Sequence, residues 1–209
     1  MKNLTKLFRL AQITRSMPQY GYAVAEISKH DLSDLAQHQY LVTFITWRLC
    51  RLVKNAGGKV DMEKAMEFAL IHDFGELFGG DIAMPYGKAN PKAREKAKAF
   101  EAENQKYLAQ FFDADAGYYQ SLSDEIMDAK SDEALISKIA DYIECTHYKL
   151  YIRHFSKGDV VMAKKKIDVW VKSLKDPVAK KELGKFLKLW VKELDQKDIK
   201  EIFDFIKSK

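Results

Sequence analysis

Three segments of the chain carry an imidazole or a carboxylate where the helical pattern of apolar residues would place a hydrophobic side chain. His72 and Asp73 follow the apolar run Ala-Leu-Ile, His38 lies in LAQHQYLVTF, and Asp141 lies in ISKIADYIE. A buried carboxylate is costly unless it has a cation, hydrogen-bond partners or a surface position. Imidazole and carboxylate together suit Mn²⁺, Fe²⁺, Co²⁺, Ni²⁺ or Zn²⁺. The pattern therefore predicts one divalent metal ion, bound by His38, His72, Asp73 and Asp141.

Two more carboxylates follow the His-Asp pair within one short segment. Glu76 comes three residues after Asp73, about one helical turn, so the two side chains can share a side of the helix. Gly79 and Gly80 then end the helix and place Asp81 at the start of a loop. We therefore expect Glu76 and Asp81 to lie close to the predicted metal ligands.

The elements that must position these residues are predicted to be helices. Apolar residues recur every three or four positions almost throughout, and only 4 prolines and 10 glycines are present, which is little material for a many-stranded sheet. Asp31 or Ser33 can cap a long helix that carries His38. Residues 81–91, with their prolines and glycine, predict a loop. Further helices are predicted from Asp61 to near Gly79 and Gly80, over 92–112 and 115–128, from Ser131 past Asp141, and as three amphipathic helices beyond about 159.

Length and composition predict a single all-α domain. The chain has 209 residues, of which 47% are hydrophobic and 31% charged, a balance typical of one globular domain. We expect residues 1–209 to form one domain, with a core at about 7–155 and a helical C-terminal extension at about 156–209. The formal net charge of +5 would attract a small phosphate-bearing substrate. The lysines alternate with apolar residues, which predicts solvated helix faces and no nucleic-acid partner.

Cysteine usage and hydropathy indicate where the protein resides. Cys50 and Cys145 are far apart in the chain, which excludes a CxxC motif and argues against a disulfide framework. The first fifteen residues lack the continuous apolar run of a signal peptide, and no stretch is apolar and long enough to cross a membrane. The sequence therefore predicts a cytoplasmic protein without a membrane partner.

The order of a lone His, a His-Asp pair and a distant Asp on a later helix resembles the HD-domain superfamily of metal-dependent phosphohydrolases. Arg15, the pattern H-D-x-x-E-x-x-x-G-D from His72 to Asp81, and the proline loop after it look like one branch, the 5′-deoxynucleotidases with their oxetanocin-like relatives. The similarity extends from about Leu7 to about Tyr151. It implies a helical HD-domain bundle with additional C-terminal helices that hydrolyses nucleoside 5′-monophosphates to nucleoside and phosphate.

The resemblance also implies roles for individual residues. It makes the four predicted ligands the metal site, Glu76 and Asp81 the catalytic acidic residues, and Arg15 a phosphate contact through its planar guanidinium. Without the resemblance, Arg15 would be assigned to solvent or to the dipole of its helix. Lys88, in the loop after Asp81, is a second candidate phosphate contact, with a plain exposed lysine as the alternative. Relatives of this kind are often dimers, so a homodimer is expected.

Two positions depart from the family pattern. Gln37 precedes His38 where the family usually has Glu, which changes the hydrogen-bond support of that His. Ser16 follows Arg15 where the family commonly has a Trp that helps to discriminate the sugar. The preference for deoxyribose is therefore left open. The alternatives are an HD phosphohydrolase for a triphosphate or cyclic nucleotide, and a non-catalytic helical protein that binds a metal or nucleotide.

Overall fold

The computed structural model describes residues 2–195 and 202–207, and within these ranges it contains helices and no β-strand. The predicted all-α class is therefore confirmed. The α-helices are α1 (Leu4–Ala11), α2 (Leu35–Asn55), α3 (Met62–Ile71), α4 (Met84–Ala89), α5 (Pro91–Ala109), α6 (Ala116–Asp128), α7 (Asp132–Tyr151), α8 (Lys157–Ser173), α9 (Pro177–Leu194) and α10 (Ile202–Lys207). Shorter 3₁₀ helices span Gln12–Ser16, Tyr20–Ala25, Lys29–Asp31, Phe74–Phe78 and Gln110–Asp115. None of the described helices is long and apolar enough to cross a membrane.

Helices α2, α3 and α7 form the centre of the bundle, where each packs against the other two. Their buried apolar stripes face one another, and removal of this surface from water is the main force that holds the helices together. Helix α8 packs on α7, and α9 packs on both α8 and α2. One continuous core therefore joins the C-terminal helices to the centre, with contributions such as Val42, Leu49, Ala69, Ile136, Ile139, Ile143, Ile167 and Leu183. The division into a core and an extension stays a prediction.

The cap of α2 differs from the prediction. Asp34, rather than Asp31 or Ser33, is the N-cap, and its carboxylate accepts a hydrogen bond of 2.8 Å from the backbone N–H of Gln37. Asp31 instead ends a 3₁₀ turn, and the Ser33 carbonyl accepts from the backbone N–H of Gln19 at 2.9 Å. The predicted caps Asp61 and Ser131 are confirmed, since each accepts from the backbone N–H three residues later.

Helix α3 ends at Ile71, well before the predicted end near Gly79 and Gly80. Two side chains of α5 explain the early end. Gln105 Nε2 donates to the Ile71 carbonyl at 3.2 Å, and Asn104 Nδ2 donates to the Gly75 carbonyl at 2.8 Å. These bonds satisfy backbone acceptors outside the helical ladder, so the chain can tighten into the 3₁₀ helix Phe74–Phe78.

The predicted loop at 81–91 contains the short helix α4. Pro85 lies in its first turn, where a residue without a backbone N–H removes no helical hydrogen bond. Asn90 then caps α5 by accepting from the backbone N–H of Ala93 at 3.2 Å. The prolines of this segment therefore mark two helix starts rather than an open loop.

Residues 17–34 fold back across the start of α2. The Gln19 and Leu35 backbone N–H groups donate to the Ser33 and Met17 carbonyls, each at 2.9 Å, and Pro18 and Asp34 form an isolated antiparallel bridge. We name residues 17–34 the N-terminal strap. These bonds hold the strap in place, and Gly21 in its middle donates a backbone hydrogen bond to Asp81.

A buried carboxylate at the first residue of α7 anchors the turn between α8 and α9. Asp132 is 8% exposed, and its two oxygens accept from the backbone N–H groups of Lys175 and Asp176, each at 2.7 Å. A hydrogen bond to a charged group contributes about 1.5–3 kcal/mol. We therefore expect Asp132→Ala, which removes both bonds, to lower the free energy of unfolding by about 3–6 kcal/mol, as measured by urea denaturation. The matched control is Asp128→Ala, which removes an exposed carboxylate paired with Lys130; equal losses in the two variants would contradict the anchoring role.

Candidate metal centre

His38 and His72 face each other across the centre of the bundle. His38 lies at the end of the first turn of α2 and is fully buried, and His72 directly follows α3. Their Nε2 atoms are 3.2 Å apart. The other ring nitrogen of each is already bonded, because His38 Nδ1 lies 2.6 Å from Glu144 Oε2 and His72 Nδ1 lies 2.8 Å from the Ala69 carbonyl. Nδ1 must donate in both rings, because both partners are oxygen acceptors. A neutral ring therefore presents its Nε2 lone pair to the space between the two histidines.

Two carboxylates complete this arrangement. Asp73 Oδ2 lies 3.4 Å from His38 Nε2 and 3.3 Å from His72 Nε2, and Asp141 Oδ1, from the middle of α7, lies 3.5 Å from His38 Nε2. Ligand atoms about 2.0–2.2 Å from one divalent cation are about 2.8–3.6 Å from one another at tetrahedral or octahedral angles. His38, His72 and Asp73 thus fit a borderline divalent cation in both atom type and spacing, and Asp141 joins them through its closeness to His38. The structure brings together all four residues that the sequence predicts as ligands.

The charges of this cluster also favour a cation. Burial acts to lower the pKa of His38, but hydrogen bonds to Asp141, Asp73 and Glu144 outweigh it and raise that pKa well above its ordinary value. Burial acts to raise the pKa of Asp73, but the charge of His72 and the bond to His38 hold it well below its ordinary value. The surrounding carboxylates therefore stabilise positive charge at the centre, which a proton on His38 or a divalent cation can supply.

Glu76 and Asp81 lie beside the cluster. Burial, followed by the charges of Asp73, Asp81 and Glu101, raises the pKa of Glu76 to about 11. Asp81 follows Gly79 and Gly80, whose φ angles of +89° and +113° are easily adopted by residues without a Cβ. Burial raises the pKa of Asp81, although its Oδ2 accepts from the backbone N–H of Gly21 at 3.0 Å. Both carboxyl groups therefore have a greater proton affinity than a carboxyl group in water.

Helix α5 fixes the backbone between His72 and Asp81. Gly75 packs so closely against it that an added Cβ would lie 3.1 Å from Gln105 Cγ and 3.1 Å from the Glu101 carbonyl. The Gln105 side chain also accepts a hydrogen bond from the buried Tyr119 hydroxyl. The motif is thus held by a hydrogen-bonded network from another part of the bundle, which limits the movement of Asp73 and Glu76.

The two predicted phosphate contacts are exposed side chains on other elements. Arg15 is exposed at the end of the 3₁₀ helix Gln12–Ser16 and lines a groove with Asp34, Gln37 and Tyr40 at the start of α2. Lys88 is exposed in the last turn of α4. Their roles stay predictions.

Three residues near the centre were not expected from the sequence. Cys145 Sγ lies 3.6 Å from Asp141 Oδ1, and the ligand atoms of Cys145, Asp141 and His38 lie within 4.8 Å of one another. Tyr22 of the strap is buried, and its hydroxyl has no hydrogen-bond partner among the described residues. Burial and the charge of Asp73 raise the pKa of Glu101 to about 7. Near the centre, these residues add a thiol, a buried hydroxyl and a further carboxyl group.

A further histidine of α7 lies away from the centre. His147, which follows Asp141 on α7, accepts a hydrogen bond of 2.8 Å at Nε2 from Trp190 Nε1, and burial lowers its pKa. His147 therefore belongs to the contact between α7 and α9 and is satisfied there.

Known proteins are similar in sequence to most of this chain. The sequence model of a family described as 5′-deoxynucleotidase YfbR-like matches residues 4–194. A 5′-deoxynucleotidase of Vibrio vulnificus is 26% identical over 169 residues, which cover 78% of this chain and 84% of that protein. A 5′-deoxynucleotidase of Vibrio parahaemolyticus is 27% identical over 169 residues, with the same coverage of 78% and 84%.

Solved structures show the same fold. A conserved hypothetical protein from Pyrococcus furiosus is 25% identical with a TM-score of 0.65, and the match covers 91% of this chain and 98% of that one. An HD-domain phosphohydrolase from Listeria innocua has a TM-score of 0.70 at 20% identity, and the match covers 93% of this chain and 91% of that one. The chain therefore has the fold of an HD-domain phosphohydrolase, and it belongs to the YfbR-like 5′-deoxynucleotidase family.

Proposed function

We propose that the protein is a phosphomonoester hydrolase that depends on one divalent cation and converts nucleoside 5′-monophosphates to nucleoside and phosphate. The observation that carries this proposal is that donor atoms of His72, Asp73 and Asp141 lie 3.2–3.5 Å from His38 Nε2, with both imidazoles oriented by other acceptors. Family membership and the names of the Vibrio relatives support the substrate class.

The cation would be held by these four side chains. Its identity within Mn²⁺, Co²⁺, Zn²⁺, Fe²⁺ and Ni²⁺ stays open, because nitrogen and carboxylate donors accept all of them. When bound, it supplies Lewis acidity toward a phosphoryl oxygen and lowers the pKa of water. Two imidazole nitrogens and two carboxylates are a sufficient donor set for such a cation, so no cluster of cysteines is needed.

Glu76 and Asp81 are proposed to act on the attacking water. The positive charge of a bound cation would favour the ionised form of both carboxyl groups, and each could then accept a proton from water. The two side chains are supported differently, because Asp81 accepts from the Gly21 N–H of the strap whereas Glu76 follows Gly75, which packs against α5. We therefore propose Glu76 as the residue that takes the proton and Asp81 as the residue that orients the water.

Arg15 and Lys88 are proposed to contact the substrate phosphate. Both side chains are cationic and exposed, which leaves them accessible to a ligand. Arg15 also borders a groove at the N-terminal end of α2, the helix that carries His38. The support for this part of the proposal is the family resemblance together with charge and exposure.

A homodimer and a cytoplasmic location stay predictions. Exposed aromatic and aliphatic side chains line a groove beside α2 and α3, and a second copy of the chain could cover a surface of this kind. They include Tyr40, Phe44, Trp47 and Leu70.

The proposal is tested with protein stripped of metal and then supplied with one cation at a time. Phosphate release is measured from ribo- and deoxyribonucleoside 5′-monophosphates, with 3′-monophosphates, triphosphates and cyclic nucleotides as comparison substrates. We expect release from 5′-monophosphates that requires a cation. Cation binding without release from any substrate would favour a non-catalytic protein, and turnover confined to triphosphates or cyclic nucleotides would favour the other phosphohydrolase hypothesis.

A further inference from the structure

A buried carboxylate stands behind His38, on the side of the ring away from the proposed cation. Glu144 Oε2 lies 2.6 Å from His38 Nδ1, and the two residues are 2% and 0% exposed. They are 106 positions apart in the chain, so folding alone brings them together. A buried ionised group is costly without a partner, and the ring N–H of His38 donates the hydrogen bond that this carboxylate needs.

The residue beside His38 gives no comparable support. Gln37 is exposed, and its Nε2 donates to Asp34 Oδ2 at 2.9 Å within the cap of α2. His72, the other proposed imidazole ligand, donates to the uncharged carbonyl of Ala69. Of the two imidazoles, His38 is thus the one whose Nδ1 is bonded to a carboxylate.

Glu144 and Asp141 share one face of α7, because residues three apart on a helix lie side by side. Helix α7 therefore carries both a proposed ligand, Asp141, and the residue that contacts another proposed ligand, His38 of α2. A carboxylate that accepts from the outer nitrogen of a ligating His fixes its tautomer and ring orientation and increases the basicity of the inner nitrogen.

We propose that Glu144 is a positioning residue that holds His38 with Nε2 toward the cation and thereby sets the affinity of the site. This inference rests on the proposed metal-dependent function. The expected loss of cation affinity is about 10–100-fold when such a partner is removed. Glu144→Gln keeps an oxygen acceptor without the charge, so its affinity should fall between those of the wild type and Glu144→Ala.

The experiment measures Mn²⁺ affinity of the metal-free full chain by calorimetry and the visible spectrum of the Co²⁺-loaded protein, together with unfolding in urea. The matched control is Thr146→Ala, another buried polar residue of α7, whose hydroxyl donates to the Tyr142 carbonyl. We expect affinity to fall in the order wild type, Glu144→Gln, Glu144→Ala, with an altered Co²⁺ spectrum, whereas Thr146→Ala keeps wild-type affinity and spectrum.

Two results would overturn the inference and leave the proposed function standing. One is wild-type affinity and spectrum in Glu144→Gln and Glu144→Ala. The other is a loss of affinity in Thr146→Ala as large as that in Glu144→Ala, since cation binding would then follow general stability. If the wild type binds neither cation, both the inference and the metal-dependent function fail. Should Glu144→Ala not fold, the comparison of Glu144→Gln with the wild type still decides the question.

Discussion

Replacing Asp73 with alanine is expected to abolish tight binding of the divalent cation and, with it, phosphate release. The Asp73 carboxylate oxygen lies 3.3–3.4 Å from both imidazole Nε2 atoms, so its removal takes away a donor from the middle of the cluster. Loss of a group that merely supports a ligand costs about 10–100-fold in metal affinity, so loss of a ligand should cost more than about 100-fold.

The experiment compares Mn²⁺ affinity and phosphate release in the wild type, Asp73→Ala and the control Asp168→Ala. Asp168 is a partly exposed carboxylate on α8 that pairs with Lys172. Asp168→Ala should retain both properties, which shows that loss of an arbitrary aspartate is harmless. Asp73→Ala with wild-type cation affinity would remove this residue from the ligand set.

The positions of the proposed ligands could be predicted because each one interrupts a strong local pattern. Asp141 breaks an apolar stripe formed by residues such as Ile136, Ile139 and Ile143, which are buried as the helical period indicates. His38 interrupts a similar stripe on α2. A polar residue on a face that must be buried needs a partner, and the order of residue types along the chain is enough to reveal this requirement.

Glu144 illustrates what the local pattern could not give. It lies three residues after Asp141, so their shared face was available as a signal, but the sequence does not say which group a buried carboxylate will meet. That partner, His38, comes from a helix 106 positions away. The position of Glu101 near Asp73 could not be predicted, because α5 is rich in charged residues and nothing in the local sequence distinguishes this one.

The end of α3 was predicted too late for a similar reason. A single glycine such as Gly75 is tolerated inside a helix, so the first pair of glycines, Gly79 and Gly80, was the natural stop. The actual end depends on Asn104 and Gln105, whose side chains bond backbone carbonyls of the segment. Such bonds between distant parts of the chain decide between an α-helix and a 3₁₀ helix without any mark in the local sequence.

Replacing Glu76 with glutamine is expected to retain cation binding and to lower turnover by about 10²–10⁴-fold, the usual contribution of a general acid or base. Glu76 contributes no donor to the cluster of closely spaced ligand atoms formed by His38, His72 and Asp73. Its raised pKa, about 11, arises from burial and from the carboxylates around it, which indicates a group that holds a proton strongly. Glutamine has nearly the same shape but cannot accept a proton from water.

The contrast between Glu76→Gln and Asp73→Ala separates proton transfer from metal binding. For Glu76→Gln, calorimetry should give an Mn²⁺ affinity within a few-fold of the wild type, while phosphate release at saturating Mn²⁺ stays low. Glutamine also removes a group whose ionised form repels Asp73 and Asp81, so the variant should be no less stable in urea than the wild type. A loss of cation affinity equal to that of Asp73→Ala would make Glu76 a ligand. Wild-type turnover in Glu76→Gln would exclude Glu76 from the proton-transfer step and leave Asp81 as the remaining carboxylate for that role.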